Sequence, residues 1–189
     1  MPTTEPALRG EAVTAAILGA AQRLFAEHGI RAVSADRVIA EAGVSKVTFY
    51  RHFPSKDALV VAYLEDELAR VRALLQARAG APGSVDDAAA MLAEEACRPG
   101  YRGCPFINAA AEYADPDHPV REVVARFRTW MTDVIAAWLA TRGIEDRAVA
   151  EQAMMLRDGA LVAGYLDGDP DGVAERLADA IRALVGERA

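Results

Sequence analysis

The side chains best suited to chemistry stand side by side in this chain. Ser45, Lys46, Val47, Thr48, Tyr50, Arg51 and His52 lie in the segment SKVTFYRHF, and Lys56 follows four residues after His52. A lysine can reach the acceptors of guanine, a valine offers methyl surface to thymine, and a threonine can do either through hydroxyl or methyl. Tyrosine and histidine have short, stiff arms that fix a distance to a phosphate, and Lys56 adds a cation. Lys46 is therefore the candidate for a base edge, with Val47 and Thr48 beside it. Phe49 and Phe53, four apart, belong to the opposite, buried side. Such a set is what a short helix needs in order to read a duplex through its major groove.

The flanking residues must hold that helix in place. Ser34 can cap a preceding helix whose inward positions are Val38, Ile39 and Ala42. Gly43 supplies a sharp turn where a residue without Cβ is cheapest. Val44 fills the gap between the two helices, Ser45 caps the second, and Pro54 stops it by lacking an amide donor. Upstream, Val13, Ile17, Ala20, Ala21, Leu24 and Phe25 form one stripe over residues 11–28, ended by Gly29.

These motifs carry a resemblance. Ala40-Glu41-Ala42-Gly43-Val44-Ser45, then Phe49-Tyr50-Arg51-His52-Phe53 and Ser55-Lys56-Asp57-Ala58-Leu59, resemble the DNA-binding domain of the TetR family of bacterial transcriptional regulators. The likeness covers roughly residues 13–64. It implies an all-α fold of about nine helices, with an N-terminal three-helix helix-turn-helix domain (1–54) and a C-terminal effector-binding and dimerisation domain (55–189). It implies a double-stranded DNA operator and a homodimer partner as binding partners, an unidentified small-molecule effector, and no cofactor. It also implies that Tyr50, His52 and Lys56 hold the DNA backbone, while Arg51 can touch base or phosphate. Dimerisation brings two reading heads to half-sites about 34 Å apart.

Apolar periodicity sets the expected elements of the rest of the chain. Ser55 caps a long fourth helix, expected to link the two domains through Leu59, Val60, Tyr63, Leu64, Leu68, Val71 and Leu75. A break at Gly80-Ala81-Pro82-Gly83 precedes a helix over 85–95, a loop at 98–103 and a short helix from Pro105 to about Tyr113. Longer helices follow up to Gly143, over 145–166 and over 170–186. No alternating strand pattern occurs. In the resembling family the last two helices usually form a four-helix bundle between subunits. This points to Leu156, Ala160 and Ala163 on the first of them and Leu177, Ile181 and Leu184 on the second. Small residues at Ala153, Gly159, Ala160, Ala163 and Gly164 would admit another helix closely. An effector pocket between the middle helices would be lined by Met91, Phe106, Tyr113 and Phe127, with Trp130, Met131, Trp138 and Met155. Few charges fall among these, so an apolar or aromatic effector is expected.

Charge and composition agree with this reading. The net charge of −7 looks adverse to DNA, yet residues 1–60 carry +1 and the remainder −8. The acid therefore sits away from the reading head. No apolar run is long enough for a membrane span, and the first residues lack the pattern of a secretory signal, so a cytoplasmic location is expected. The three histidines are scattered, with no nucleophile, metal-ligand or phosphate-loop arrangement, so neither catalysis nor a metal site is expected. DPDHP reads as a polar turn that starts a helix. Cys97 and Cys104 are too few for a disulfide scaffold. Cys104, just before a helix N-terminus, keeps open a redox- or electrophile-sensing thiol, with Cys97 seven residues upstream. Outside regulation, a helical protein-interaction module remains as an alternative.

Overall fold

Helix boundaries in this chain follow from side chains that satisfy the first amides of each helix. The computed structural model describes residues 10–77, 83–97 and 101–186, and every regular element among them is an α-helix. In chain order these are α1 (Gly10–His28), α2 (Ala35–Ala42), α3 (Lys46–His52), α4 (Lys56–Ala77), α5 (Val85–Ala96), α6 (Pro105–Glu112), α7 (Pro119–Ala140), α8 (Arg147–Asp167) and α9 (Pro170–Val185). The fold class is thus all-α, with helix-turn-helix elements at the N-terminal end and a helical bundle after them. Residues 80–82 of the Gly80–Gly83 break and 98–100 of the 98–103 loop lie outside the described residues, as does the N-terminal segment 1–9.

The chain divides into two units, residues 1–66 and 67–189, and the division falls within α4. In the first unit, Ile17, Ala20, Ala21, Leu24 and Phe25 of α1 are buried with Val38, Phe49, Phe53, Leu59 and Leu64. The Phe25 and Tyr63 rings meet edge-on at 5.3 Å, an arrangement that suits their opposed quadrupoles.

In the second unit, α5 packs against α8 and α9, and α7 against α6 and α8. Ser84 and Asp87 form a reciprocal capping box at the start of α5, which satisfies two amides that the helix itself cannot. Asp146 and Asp169 cap α8 and α9. His118 caps α7 through Nδ1, which accepts from the Val120 amide at 3.2 Å. Asp115 accepts from the Asp117 amide at 3.0 Å, so the DPDHP turn uses its polar atoms to start a helix. Val85, Ala89 and Ala93 of α5 join Leu139 of α7, Ala150 of α8, and Val173, Leu177 and Ala178 of α9 in one core.

Small residues set the spacing between α5 and α8. A Cβ added at Gly164 would stand 2.6 Å from the Ala96 Cβ and 3.1 Å from its carbonyl oxygen. The helices touch nearly backbone to backbone there, so part of the small-residue face of α8 is used within the chain. Gly159 faces open space. Replacing Gly164 by alanine should force the two helices apart and lower unfolding stability by about 1–3 kcal/mol in a urea titration. An unchanged midpoint would show that the close approach is not needed.

Candidate nucleic-acid interface and interior cavity

Helix α3 has only seven residues, too few to persist on its own hydrogen bonds. Three features hold it. Gly43 takes a left-handed conformation at φ 66°, which ends α2 and turns the chain. The Ser45 hydroxyl accepts from the Thr48 amide at 3.1 Å. Phe49 is wholly buried (0 % exposed), with the Tyr50 ring edge-on to it at 5.2 Å and the Phe53 ring 6.0 Å away. With one face sunk, the opposite face must project. Val47 is 70 % exposed, and Lys46, Tyr50 and Arg51 are exposed with it.

Lys46 donates from Nζ to Asp36 Oδ1 of α2 at 3.0 Å. The hydrogen bond and charge of Asp36 raise its pKa above the ordinary lysine value, so it is a cation throughout the neutral range. The pair is solvent-exposed on both sides and costs little to exchange for another acceptor. Thr48 shares a hydroxyl hydrogen bond with Ser45 at 2.8 Å. His52 is half-buried, its Nδ1 3.0 Å from the Thr14 hydroxyl of α1, which braces the ring against the domain. Lys56 donates to the carbonyl of Ile30 at 2.6 Å and to that of Arg31 at 3.4 Å. Its ammonium therefore ties the α1–α2 connection to the start of α4, a structural task that the sequence did not reveal. Lys56→Met should lower the stability of the first unit by about 1–2 kcal/mol in thermal unfolding, independently of any DNA. No loss would leave Lys56 as a surface cation only.

The second unit holds a cavity of 210 Å³ that opens partly to solvent. Of the residues expected to line an effector pocket, Met91, Phe106, Phe127, Met131 and Trp138 line this cavity. The other three do not line it. Met155 is 70 % exposed on the outer side of α8. Tyr113 ends α6 and lays its ring against His118 at 4.6 Å. Trp130 takes the Arg72 guanidinium over its face at 5.1 Å. All three are aromatic or apolar, but helical phase turns Trp130 and Met155 elsewhere, and Tyr113 lies just past the end of α6 in an extended conformation.

Charged residues in the cavity wall were missed. Glu67, Arg70, Glu95 and Arg157 contribute to it. The Glu67 side chain is buried and accepts from Arg70 Nε at 3.0 Å and Nη2 at 2.8 Å, while Glu95 lies 3.8 Å from the same guanidinium. A signal for two of them did exist. Glu67 interrupts the stripe Val60, Leu64, Val71, and Arg157 interrupts Ala150, Ala153, Leu161, each at a position where helical spacing demands an inward side chain.

Within a single chain, the residues expected at a subunit interface are largely drawn into its own core. Leu177 is 6 % and Ile181 8 % exposed within a single chain, and both line the cavity, so they have almost no surface left for a partner. Ala160 is buried in the same core, and Leu156 and Ala163 are half-buried against it. Leu184 is half-buried. The apolar surface left open on α8 is instead Met155, Val162, Tyr165 and Leu166, with Leu166 72 % exposed.

The cysteines are free and differ in setting. Cys97 ends α5, with its thiol 3.9 Å from the Gly164 carbonyl of α8. Burial, then the charges of Asp169 and Asp167, raise its pKa, so it is a poorer thiolate than usual. Cys104 is buried in the cavity wall at the start of α6 and makes no capping hydrogen bond.

A short helix with an exposed face, the second of a helix-turn-helix, is followed by a helical unit that holds a cavity, an architecture found in DNA-binding regulators. The family model for bacterial regulatory proteins of the tetR family matches residues 17–63. The crystal structure of a TetR-family transcriptional regulator from Streptomyces coelicolor is 38 % identical. It superposes with a TM-score of 0.83 over 93 % of this chain and 95 % of that one. The chain belongs to the TetR family. Among curated proteins, the HTH-type transcriptional regulator EthR of Mycobacterium tuberculosis is 34 % identical over 71 residues, covering 38 % of this chain and 33 % of EthR. An uncharacterized HTH-type regulator of the same species is 37 % identical over 65 residues, 34 % of this chain and 32 % of that protein. The chain thus spans about a third of the length of the curated relatives it matches. Among the described residues no helix is long and apolar enough to cross a membrane.

Proposed function

We propose that the chain is a dimeric, ligand-responsive transcriptional repressor. It binds a palindromic operator through α3 and is released by a small apolar or aromatic effector held in the cavity of the second unit. The observation that carries this reading is the division of α3 into a buried side around Phe49 and an exposed side bearing Lys46, Val47, Tyr50 and Arg51. Lys46 and Val47 read base edges, with Thr48 beside them, while Tyr50, Arg51, His52 and Lys56 position the backbone. Ser45, at the helix start, offers its hydroxyl next to Thr48. The effector acts only if it binds the DNA-free form more tightly than the DNA-bound one.

A gel shift with the DNA upstream of the gene tests the reading directly. Lys46→Ala should change the ranking of point-mutated operators, with a correct base contact worth about 1–3 kcal/mol, whereas Tyr50→Phe should weaken all duplexes alike. A uniform loss on Lys46→Ala would assign that residue to the backbone.

The second copy is held by the α8 face of Met155, Val162, Tyr165 and Leu166. Four apolar side chains open to water on one helix favour burial against a like face. Val162→Asp with Leu166→Asp should shift sedimentation from two chains to one while leaving the far-ultraviolet spectrum unchanged. A dimer that survives both substitutions places the interface elsewhere.

A second reading is favoured by the position of Cys104 in the cavity wall, where an electrophilic ligand would meet a thiol. Release of DNA by such a compound, lost in Cys104→Ser and unaffected in Cys97→Ser, would replace the non-covalent effector. Loss of the response in Cys97→Ser as well would instead point to a disulfide switch between the two.

A further inference from the structure

We infer that the cavity takes an apolar molecule bearing one anionic group, a carboxylate or its equivalent, and that Arg157 anchors that group. The inference rests on the reading of the cavity as the effector site, and goes on to name the chemistry of the occupant.

Charge is unevenly shared around Arg157. Arg157, on α8, lines the cavity with its side chain 15 % exposed. One of its N–H groups donates to Asp158 Oδ1 at 2.8 Å. The other oxygen of Asp158 is taken by Arg128 of α7, at 2.5 Å. A single carboxylate therefore serves two guanidinium groups, and the cluster holds one unmatched positive charge. The remaining N–H groups of Arg157 meet no acceptor among the described residues. A guanidinium offers five donors in a planar fork, and those of Arg157 that no side chain takes are not sealed off from solvent, so a ligand in the cavity can reach them. A ligand carboxylate would accept two of them side by side.

The fork is also held in place. The Arg157 guanidinium lies over the Phe127 ring, 5.3 Å from its centroid, and Phe127 is stacked on Phe106 at 3.8 Å with the rings 1° from parallel. Such packing limits the rotamers of a long side chain before the ligand arrives, which reduces the ordering cost of binding.

The rest of the wall decides where the anion can go. Glu67 and Glu95 both pair with Arg70, so that guanidinium already faces two carboxylates, whereas Arg157 shares its single carboxylate with Arg128 and is the better anchor for an anion. The remaining surface is built from side chains such as Val71, Leu92, Met131, Val134, Ile135 and Trp138, which demand an apolar body. A cavity of about 150 Å³ lined by Leu, Ile and Phe holds benzene. At 210 Å³ this one suits a body of one substituted ring or two fused rings.

Isothermal titration of the full chain with 1-naphthoate, its neutral isostere 1-naphthamide and the cation 1-naphthylmethylamine tests this. The acid should bind at least about tenfold more tightly than the amide, as a charge-assisted bidentate contact implies. Arg157→Gln should erase that preference while leaving amide affinity within roughly threefold, and Arg157→Lys should restore part of it. Arg128→Gln gives an independent variant that keeps Arg157: with Asp158 committed to one guanidinium, the preference for the acid should fall several-fold, by about as much as one screened charge allows. An amine that binds more tightly than the acid, or an acid preference that survives Arg157→Gln, overturns the assignment. Equal binding of acid and amide overturns the anchor but leaves the cavity as a ligand site. Failure of all three probes to bind removes the cavity reading and the anchor with it.

Discussion

Burial of Phe49 is the constraint on which the reading head depends. A helix of seven residues cannot recover its nucleation cost from backbone hydrogen bonds. It persists because one ring at its centre is sunk in the core of the first unit, and because Ser45 satisfies an amide at its start. Once that ring is fixed, the 3.6-residue period leaves no choice about the others. Lys46, Val47, Tyr50 and Arg51 must look outward, and the ring edge of Tyr50 is steadied against Phe49 itself. The exposed face is therefore a consequence of the buried one, and its rigidity comes from the same contact.

The second unit follows a different logic, in which small residues bring helices together and large ones leave a space. Ala96 and Gly164 let α5 and α8 meet at backbone distance, while Phe106, Phe127, Met131 and Trp138 stand around a cavity. Charges placed in such a wall are held by one another. Glu67, Arg70 and Glu95 form one row, and Arg128, Asp158 and Arg157 another. A low-dielectric setting makes each of these contacts stronger than it would be in water, and makes an unanswered donor more costly. The charges of the cavity wall are Glu67, Arg70, Glu95 and Arg157, set among mostly apolar side chains.

Helix caps, turns and apolar stripes were legible along the chain because each depends on neighbours a few residues away. Ser34, Gly43, Ser45 and His118 do in the structure what local chemistry requires of them. The family and the fold class were legible for the same reason, since the motif around α2 and α3 is continuous in sequence.

What the sequence could not determine is the partner of each buried stripe. Periodicity says that Leu177 and Ile181 face something apolar, and an intramolecular core satisfies that demand as well as a second subunit does. Only the packing of α5 against α9 decides between them, and it turns both residues inward. The same holds for the cavity. Tyr113, Trp130 and Met155 share the composition of a pocket lining, but the placement of their helices, set by contacts distant in sequence, turns them away from it. Lys56 and Arg157 make the point for charge. One bonds carbonyls twenty-five and twenty-six residues upstream and the other stands over a ring thirty residues before it. By itself the sequence determined the helices, the reading motif and the family, because those are short-range properties. The tertiary structure alone decided which faces meet, since contact between distant segments leaves no periodic trace in either.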